Sequence, residues 1–306
     1  MALTGGWSVS LGTILLGACL APWSPRVWAE GVPETIRTPL PDPNDKGKRA
    51  ERPPEPPAEL KAADLKLMVG ERLVYDIRVG GLPAGKAQLI VRKQEPLAEN
   101  EPEVWTVALE TNSSRAMSLY YKVQDWAKSY IDVKGGFSRF YHLQIREKDS
   151  KYEELIRFDY DIKVMEAMYE RKRPDGEWQK HKNLRLPCKV LDPLSALYYL
   201  RSVNFESLRA GQSFYLPICA DRKVWNTRIK VVERLEAPED YGKLKARRCL
   251  VIEPEAEFKG LFERKGKMRI WVDLETGIPL KMNVEIPIGP AEVILSEHAN
   301  SPLNNK

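Results

Sequence analysis

The feature that most constrains this chain is a period-two alternation of apolar and polar side chains that starts at Gly70 and recurs, run after run, toward the C-terminus. Leu73, Tyr75, Ile77 and Val79 alternate with Arg72, Asp76 and Arg78. Successive side chains of an extended chain point to opposite faces, so the pattern specifies strands with one buried face. Gly80-Gly81-Leu82-Pro83-Ala84-Gly85 then turns the chain, and Ala87, Leu89 and Val91 resume one face, which predicts a hairpin. Similar runs cover 104–111, 124–132, 140–147, 153–160 and 163–170, then 213–219, 223–236, 245–258, 267–273, 280–286 and 291–296. Turns such as Lys134-Gly135-Gly136, Glu239-Asp240-Tyr241-Gly242 and Glu275-Thr276-Gly277 separate them. The fold class is mainly β: a curved antiparallel sheet, a half-barrel or incomplete β-barrel, packed on one or two short helices.

Two segments break the alternation. Ser114 to Tyr121 fits a short helix, and Asp192-Pro193-Leu194-Ser195-Ala196-Leu197-Tyr198-Tyr199-Leu200-Arg201 is a well-started one. Asp192 is placed to accept hydrogen bonds from the first helical amides, and Pro193 occupies the position where a missing N–H costs nothing. This second helix is apolar on most sides, so it must be buried, and its expected seat is the concave face of the sheet.

Upstream of the strands the composition changes twice. Residues 7–21 form an uncharged apolar run, short for a bilayer span and placed where a secretory signal peptide carries its core, although Met1 to Gly6 holds no lysine or arginine. Two processing sites compete: cleavage after Ala29, where Val27-Trp28-Ala29 has the small-residue form, and lipidation of Cys19 in Leu16-Gly17-Ala18-Cys19, which resembles a lipobox. Residues 30–60 carry eight prolines and almost no large apolar side chains, so they form an extended linker. At about 3 Å per residue such an arm reaches on the order of 90 Å. The organisation expected is a signal peptide at 1–29, a disordered linker at 30–60, one β-rich domain at 61–298 and a disordered tail at 299–306. The protein is thus expected in the periplasm or at the outer membrane, touching a membrane only through an N-terminal lipid.

The side chains that carry chemistry are sparse. The net charge of +5 is small against 48 bases and 43 acids that alternate along the chain, which argues against nucleic acid as a partner. His142, His181 and His298 are the only histidines, and none stands in a metalloprotease, serine-hydrolase or cysteine-protease spacing. Glu153-Glu154 and Glu239-Asp240 are adjacent, so on a strand their members face apart. A secreted hydrolase would need carboxylates brought together from distant strands. Cys188, Cys219 and Cys249 show no metal-binding or redox spacing. Hairpin geometry sets Cys219 opposite Val224 and Cys249 opposite about Val231, more than about 20 Å apart along the sheet and beyond disulfide reach. Cys188 with either partner stays open. No enzyme activity, cofactor or metal is expected.

Three motifs together resemble a known family. They are Gly70-Glu71-Arg72-Leu73-Val74-Tyr75-Asp76-Ile77 running into Gly81-Leu82-Pro83-Ala84-Gly85, the Asp192 to Arg201 helix, and Ile270-Trp271-Val272-Asp273 followed by Ile278-Pro279-Leu280-Lys281. They are similar to the domain-of-unknown-function 3108 family of exported bacterial proteins, over about Gly70 to Glu297. The last motif also resembles the hairpin of the outer-membrane lipoprotein-sorting half-barrels. That likeness implies a curved sheet packed on helices and an apolar ligand, and the family supplies no catalytic residues. The expected functional site is an apolar groove lined by Leu194, Leu197, Tyr198, Trp105 and Trp271, which would shield a lipid or a lipid-modified chain. The same aromatics equally suit a filled core. The rival function is that of a structural or assembly partner of an envelope complex, docking by a sheet edge or by the arm.

Overall fold

The computed structural model describes residues 60, 65, 67–99, 101–148, 150–160, 163–174, 176–181, 183–220, 222–235, 248–255, 268–286 and 289–299. Cys19, Ala29, the proline-rich stretch up to residue 59, the expected turn at Glu239-Asp240-Tyr241-Gly242 and the tail from residue 300 lie outside these residues.

Among the described residues fifteen strands form one antiparallel sheet. The first nine are β1 (Arg72–Val79), β2 (Leu82–Pro96), β3 (Glu103–Ser113), β4 (Gln124–Asp132), β5 (Ser138–Arg146), β6 (Lys151–Asp159), β7 (Glu166–Lys172), β8 (Gln179–Lys180) and β9 (Leu184–Arg185). The remaining six are β10 (Ser213–Ala220), β11 (Lys223–Leu235), β12 (Cys249–Glu255), β13 (Arg269–Asp273), β14 (Pro279–Ile286) and β15 (Gly289–Ala299). The spatial order is β10-β11-β12-β13-β14-β15-β1-β2-β3-β4-β5-β6-β7-β8, with β9 also on β7. Each neighbour is a hairpin partner except at one seam, where the last strand pairs with the first: Val79 opposes Ala291 and Leu73 opposes His298. The sheet is curved and not closed.

Local chemistry explains the first hairpin. Val79 opposes Leu82, so the turn is the two residues Gly80 and Gly81, both at positive φ (55° and 81°). Only a turn of that hand matches the right-handed twist of the strands, and glycine reaches it without a steric penalty. Leu82 to Gly85, expected in the turn, already belong to β2. The run expected at 163–170 is displaced to Glu166–Lys172, and β8 and β9 are too short for alternation to reveal.

Among the described residues two α-helices accompany the sheet. Helix α1 (Arg115–Ser118) is a single turn capped by Ser114, whose Oγ accepts from Met117 N, and it ends before Leu119 and Tyr120. Helix α2 (Pro193–Tyr199) is buried along its whole length and packs on β3, β4 and β10. It lies on the inner side of the sheet, within one apolar core that draws on β1 to β7 and on β10 to β15. The expected cap is present: Asp192 Oδ1 accepts from Leu194 N at 2.8 Å and Ser195 N at 2.9 Å.

The chain just before α2 ties distant strands together. Ser138 N at the start of β5 donates to Val190 O (3.0 Å), Leu191 N donates to Pro217 O (2.9 Å), and Cys219 N donates to Leu191 O (2.7 Å). The edge of β10 is therefore occupied. Pro217 faces this side, away from the β11 ladder, where its missing N–H removes no sheet bond. At the other end of α2, Gly277 in the β13–β14 turn has φ +68°, and a Cβ there would stand 2.6 Å from Arg201 Cα. The turn lies directly on the helix terminus, so a side chain at this position is excluded.

One register differs from expectation. Cys219 opposes Val224 as expected, but Cys249 opposes Leu235 and not Val231. The ladder of β11 and β12 begins at Leu235 and Cys249, and a bulge between Val231 and Glu233 adds a further offset. Cys188, Cys219 and Cys249 form no disulfide.

Replacing Asp192 by Ala removes the helix cap and leaves two buried serine hydroxyls without their acceptor, so we expect a loss of about 3 kcal/mol. Ser114→Ala, at an exposed single turn, should cost less than about 1 kcal/mol. Urea unfolding of the two variants checks the contrast.

Candidate functional site

The residues expected to line a groove do not form one. Leu194, Leu197 and Tyr198 are 0%, 8% and 2% exposed and join the same core as Tyr75, Leu109, Leu143 and Ile218. Trp105 has the strand parity of Val107 and Leu109, opposes Ile131, and so shares the inner face. Trp271 does not. Its neighbours Ile270 and Val272 turn inward, which directs the indole to the outer face, where Lys281 Nζ lies 5.5 Å from the ring centroid and pairs with Glu292 at 3.0 Å. An acyl chain would have to displace packed side chains to reach α2, at a cost of roughly 2 kcal/mol for each leucine-sized group uncovered.

Two polar clusters are embedded in the folded domain. Asp192 Oδ2 accepts from Ser129 Oγ at 2.5 Å and Ser138 Oγ at 2.6 Å, and Ser138 Oγ lies 2.8 Å from Ser195 Oγ. All four residues are fully buried. Burial raises the Asp192 pKa above the ordinary carboxylate value, against the lowering effect of the bonds from Ser129, Ser138, Ser195 and Leu194. Among the described residues no histidine joins these serines, and all four side chains are buried away from any substrate. The cluster's chemistry is that of a bolt between α2, β4 and β5.

The second cluster joins segments far apart in sequence. Arg201, just after α2, holds Glu71 with two bonds (2.5 and 3.1 Å), and His298 Nε2 on β15 lies 3.1 Å from Glu71 Oε1. Burial pushes the Glu71 pKa up, but the hydrogen bonds from His298 and Arg201 outweigh it and hold the carboxyl below its ordinary value of 4.5. Tyr75, four residues further along the chain from Glu71, donates to Pro279 O at 3.0 Å. The other histidines are elsewhere: His142 Nε2 meets Glu153 Oε1 at 2.6 Å on the outer face, and His181 follows β8. Glu154, next in sequence, turns instead to Arg171, so the adjacent acids do face apart. No group of histidine, cysteine and acid side chains among the described residues has the geometry of a metal site.

The accessible chemistry lies on the outer face. A depression of about 570 Å³ opens over the loop-proximal ends of β4 to β7. Among its described lining residues are six cations, Lys122, Arg146, Lys148, Lys151, Lys172 and Arg173, and two acids. Both acids are engaged: Glu147 accepts from Tyr121 Oη at 3.0 Å and Glu153 meets His142. Among the described residues no carboxylate forms an ion pair with any of the six. Like charges gathered in a concavity attract anions from solution. Sequence reasoning missed this site because each cation has acids nearby in the chain, and only the pairing of β4 to β7 brings the cations together.

The model of the family described as "Protein of unknown function (DUF3108)" matches residues 74–296. The chain belongs to the DUF3108 family. No curated protein matches the DUF3108 chain. Among solved structures it is similar to a beta-barrel-like protein of domain of unknown function DUF1849 from Brucella abortus, at 11% identity and a TM-score of 0.46, covering 76% of this chain and 98% of that one. A candidate lipoprotein from Parabacteroides distasonis ATCC 8503 superposes more loosely, at 7% identity and a TM-score of 0.32, with 78% and 99% covered. Neither superposition carries a functional assignment for the DUF3108 chain.

Two outcomes follow from these environments. Glu71→Gln leaves Arg201 buried without its counter-charge and should cost about 3 kcal/mol at neutral pH. Because the folded-state pKa of Glu71 is depressed, its contribution is complete above pH 4.5 and is lost as the pH falls through the folded value, so wild type and variant should converge in urea unfolding below that range. Cys219, 3.0 Å from Tyr169 Oη, has its thiol pKa pushed up to about 12 by burial. It should resist alkylation at pH 8 in the folded protein and react at once in denaturant, as mass spectrometry of the labelled peptides will report.

Proposed function

We propose that this protein is an exported component of a bacterial cell envelope that works by docking its outer surface, without catalysis and without carrying cargo inside the sheet. One observation carries the reading: the inner side is filled by α2 and the strand side chains packed around it, whereas a depression with six cations and two acids among its described lining residues lies open on the outer face. The apolar run and the proline-rich stretch in the sequence support export. The isolation of the buried serines from any described histidine supports a role outside hydrolysis. No helix among the described residues is long and apolar enough to cross a membrane. Carriage of a lipid or other apolar group along Leu194, Leu197 and Tyr198 is the second reading, and it requires α2 to part from β3, β4 and β10.

Protein isolated from envelopes and washed in high salt should release no stoichiometric lipid on organic extraction, as followed by mass spectrometry. One lipid per chain, lost when Leu197 is replaced by Trp, would establish internal carriage and displace the docking reading.

A further inference from the structure

Antiparallel pairing sorts the loops into two ends. The β1–β2, β3–β4, β5–β6, β7–β8, β10–β11 and β14–β15 connections share one end, while Glu71, Arg201, His298 and the Glu275–Gly277 turn lie toward the other. Among the described residues the three most exposed large apolar side chains, Leu119 (83%), Tyr120 (78%) and Leu82 (70%), all stand on loops of the first end, and half-exposed Trp178 follows β7 there. They are held side by side. Ser114 N donates to Ala84 O at 2.7 Å and Ser114 Oγ to Pro83 O at 3.3 Å, which fixes the Leu119 loop beside the Leu82 hairpin. Val123 bridges to Glu147, which fixes the same loop beside the β5–β6 turn and the cation depression.

We infer that this end, with Leu82, Leu119 and Tyr120 at its tips and Lys122, Arg146, Lys148, Lys151, Lys172 and Arg173 beside them, docks on an anionic phospholipid surface. The inference rests on the docking reading and names its partner. Six cations without described counter-ions attract a negatively charged surface. Aliphatic and aromatic side chains at loop tips then enter the headgroup boundary, as interfacial anchors do, with Leu119-Tyr120-Tyr121-Lys122 placing apolar, aromatic and cationic groups in one turn of chain. A soluble polyanion would use the cations and leave the apolar tips in water. A folded protein partner would favour a broad apolar patch, whereas Leu82 on one connection and Leu119 and Tyr120 on the next are three projecting tips rimmed by cations, which a fluid surface can accommodate. The side chains of Leu82, Leu119 and Tyr120 stand outside the core, which α1 meets through Met117, so the tips are available without unfolding anything.

The test uses the full chain in sedimentation with phosphatidylcholine vesicles and with the same vesicles containing phosphatidylglycerol. The N-terminal apolar run is common to every sample and partitions alike into both, so the readout is the preference for anionic over neutral vesicles. Near an anionic surface each lysine strengthens binding roughly fivefold, so the Lys148→Gln, Lys151→Gln double variant should lose on the order of 20-fold in that preference. The Leu119→Ser, Tyr120→Ser variant should weaken binding to anionic vesicles on the order of tenfold. Circular dichroism of both variants should match the wild type, since all four positions are exposed. A preference that is absent, or unchanged in both variants, overturns the inference. Binding of inorganic polyphosphate or of an acidic protein without vesicle preference also overturns it while leaving docking through this end intact. Stoichiometric lipid extracted from the interior instead removes the docking reading itself.

Discussion

The rest of this structure depends on the fastening of the chain at Val190 to Asp192. A meander with the order found here has two edges, β10 and β8, and nothing in strand pairing alone curls one toward the other. Val190 bonds to β5, Leu191 bonds to β10, and the Asp192 carboxylate binds Ser129 and Ser138 while capping the helix that fills the space between. With these contacts in place the inner faces of strands from both halves of the sheet share one core. Without them, α2 would have no seat and a large apolar face would be open to water. A fully satisfied buried polar cluster is costly to disturb, and here it coincides with the point where the two halves of the chain meet.

A second fastening works on the opposite side of the helix. Glu71, Arg201 and His298 come from before the first strand, after the helix and from the last strand, and Gly277 lets the β13–β14 turn lie on Arg201. A buried ion pair is weak as a source of net stability, because desolvation offsets much of the attraction. Its consequence is geometrical: it specifies which turn meets which terminus, and it reinforces the β1–β15 seam through which the C-terminal strands join the N-terminal ones.

With the interior committed to packing, the surface carries the accessible chemistry. The two ends of the sheet are chemically unlike. One has its charges paired around Glu71 and its turn pressed on the helix; the other presents apolar loop tips and cations that lack described partners. The sheet is the frame that aligns the loops at each end.

The sequence by itself determined the elements whose causes are local. Period-two alternation located nearly every strand, Gly80-Gly81 marked the first hairpin, and Asp192-Pro193 with an apolar run behind it foretold a capped and buried helix. These signals are legible because the face of a strand and the start of a helix are decided by neighbours a few residues away. Tertiary structure alone decided the β15–β1 seam, the bond of Leu191 to β10, the outward direction of Trp271, the pairing of Cys249 with Leu235 and the gathering of six cations on one outer face. Each of these depends on which strand lies beside which, at what register. That is a property of long-range pairing and loop length, and composition and periodicity are the same for every arrangement that keeps the apolar faces inside.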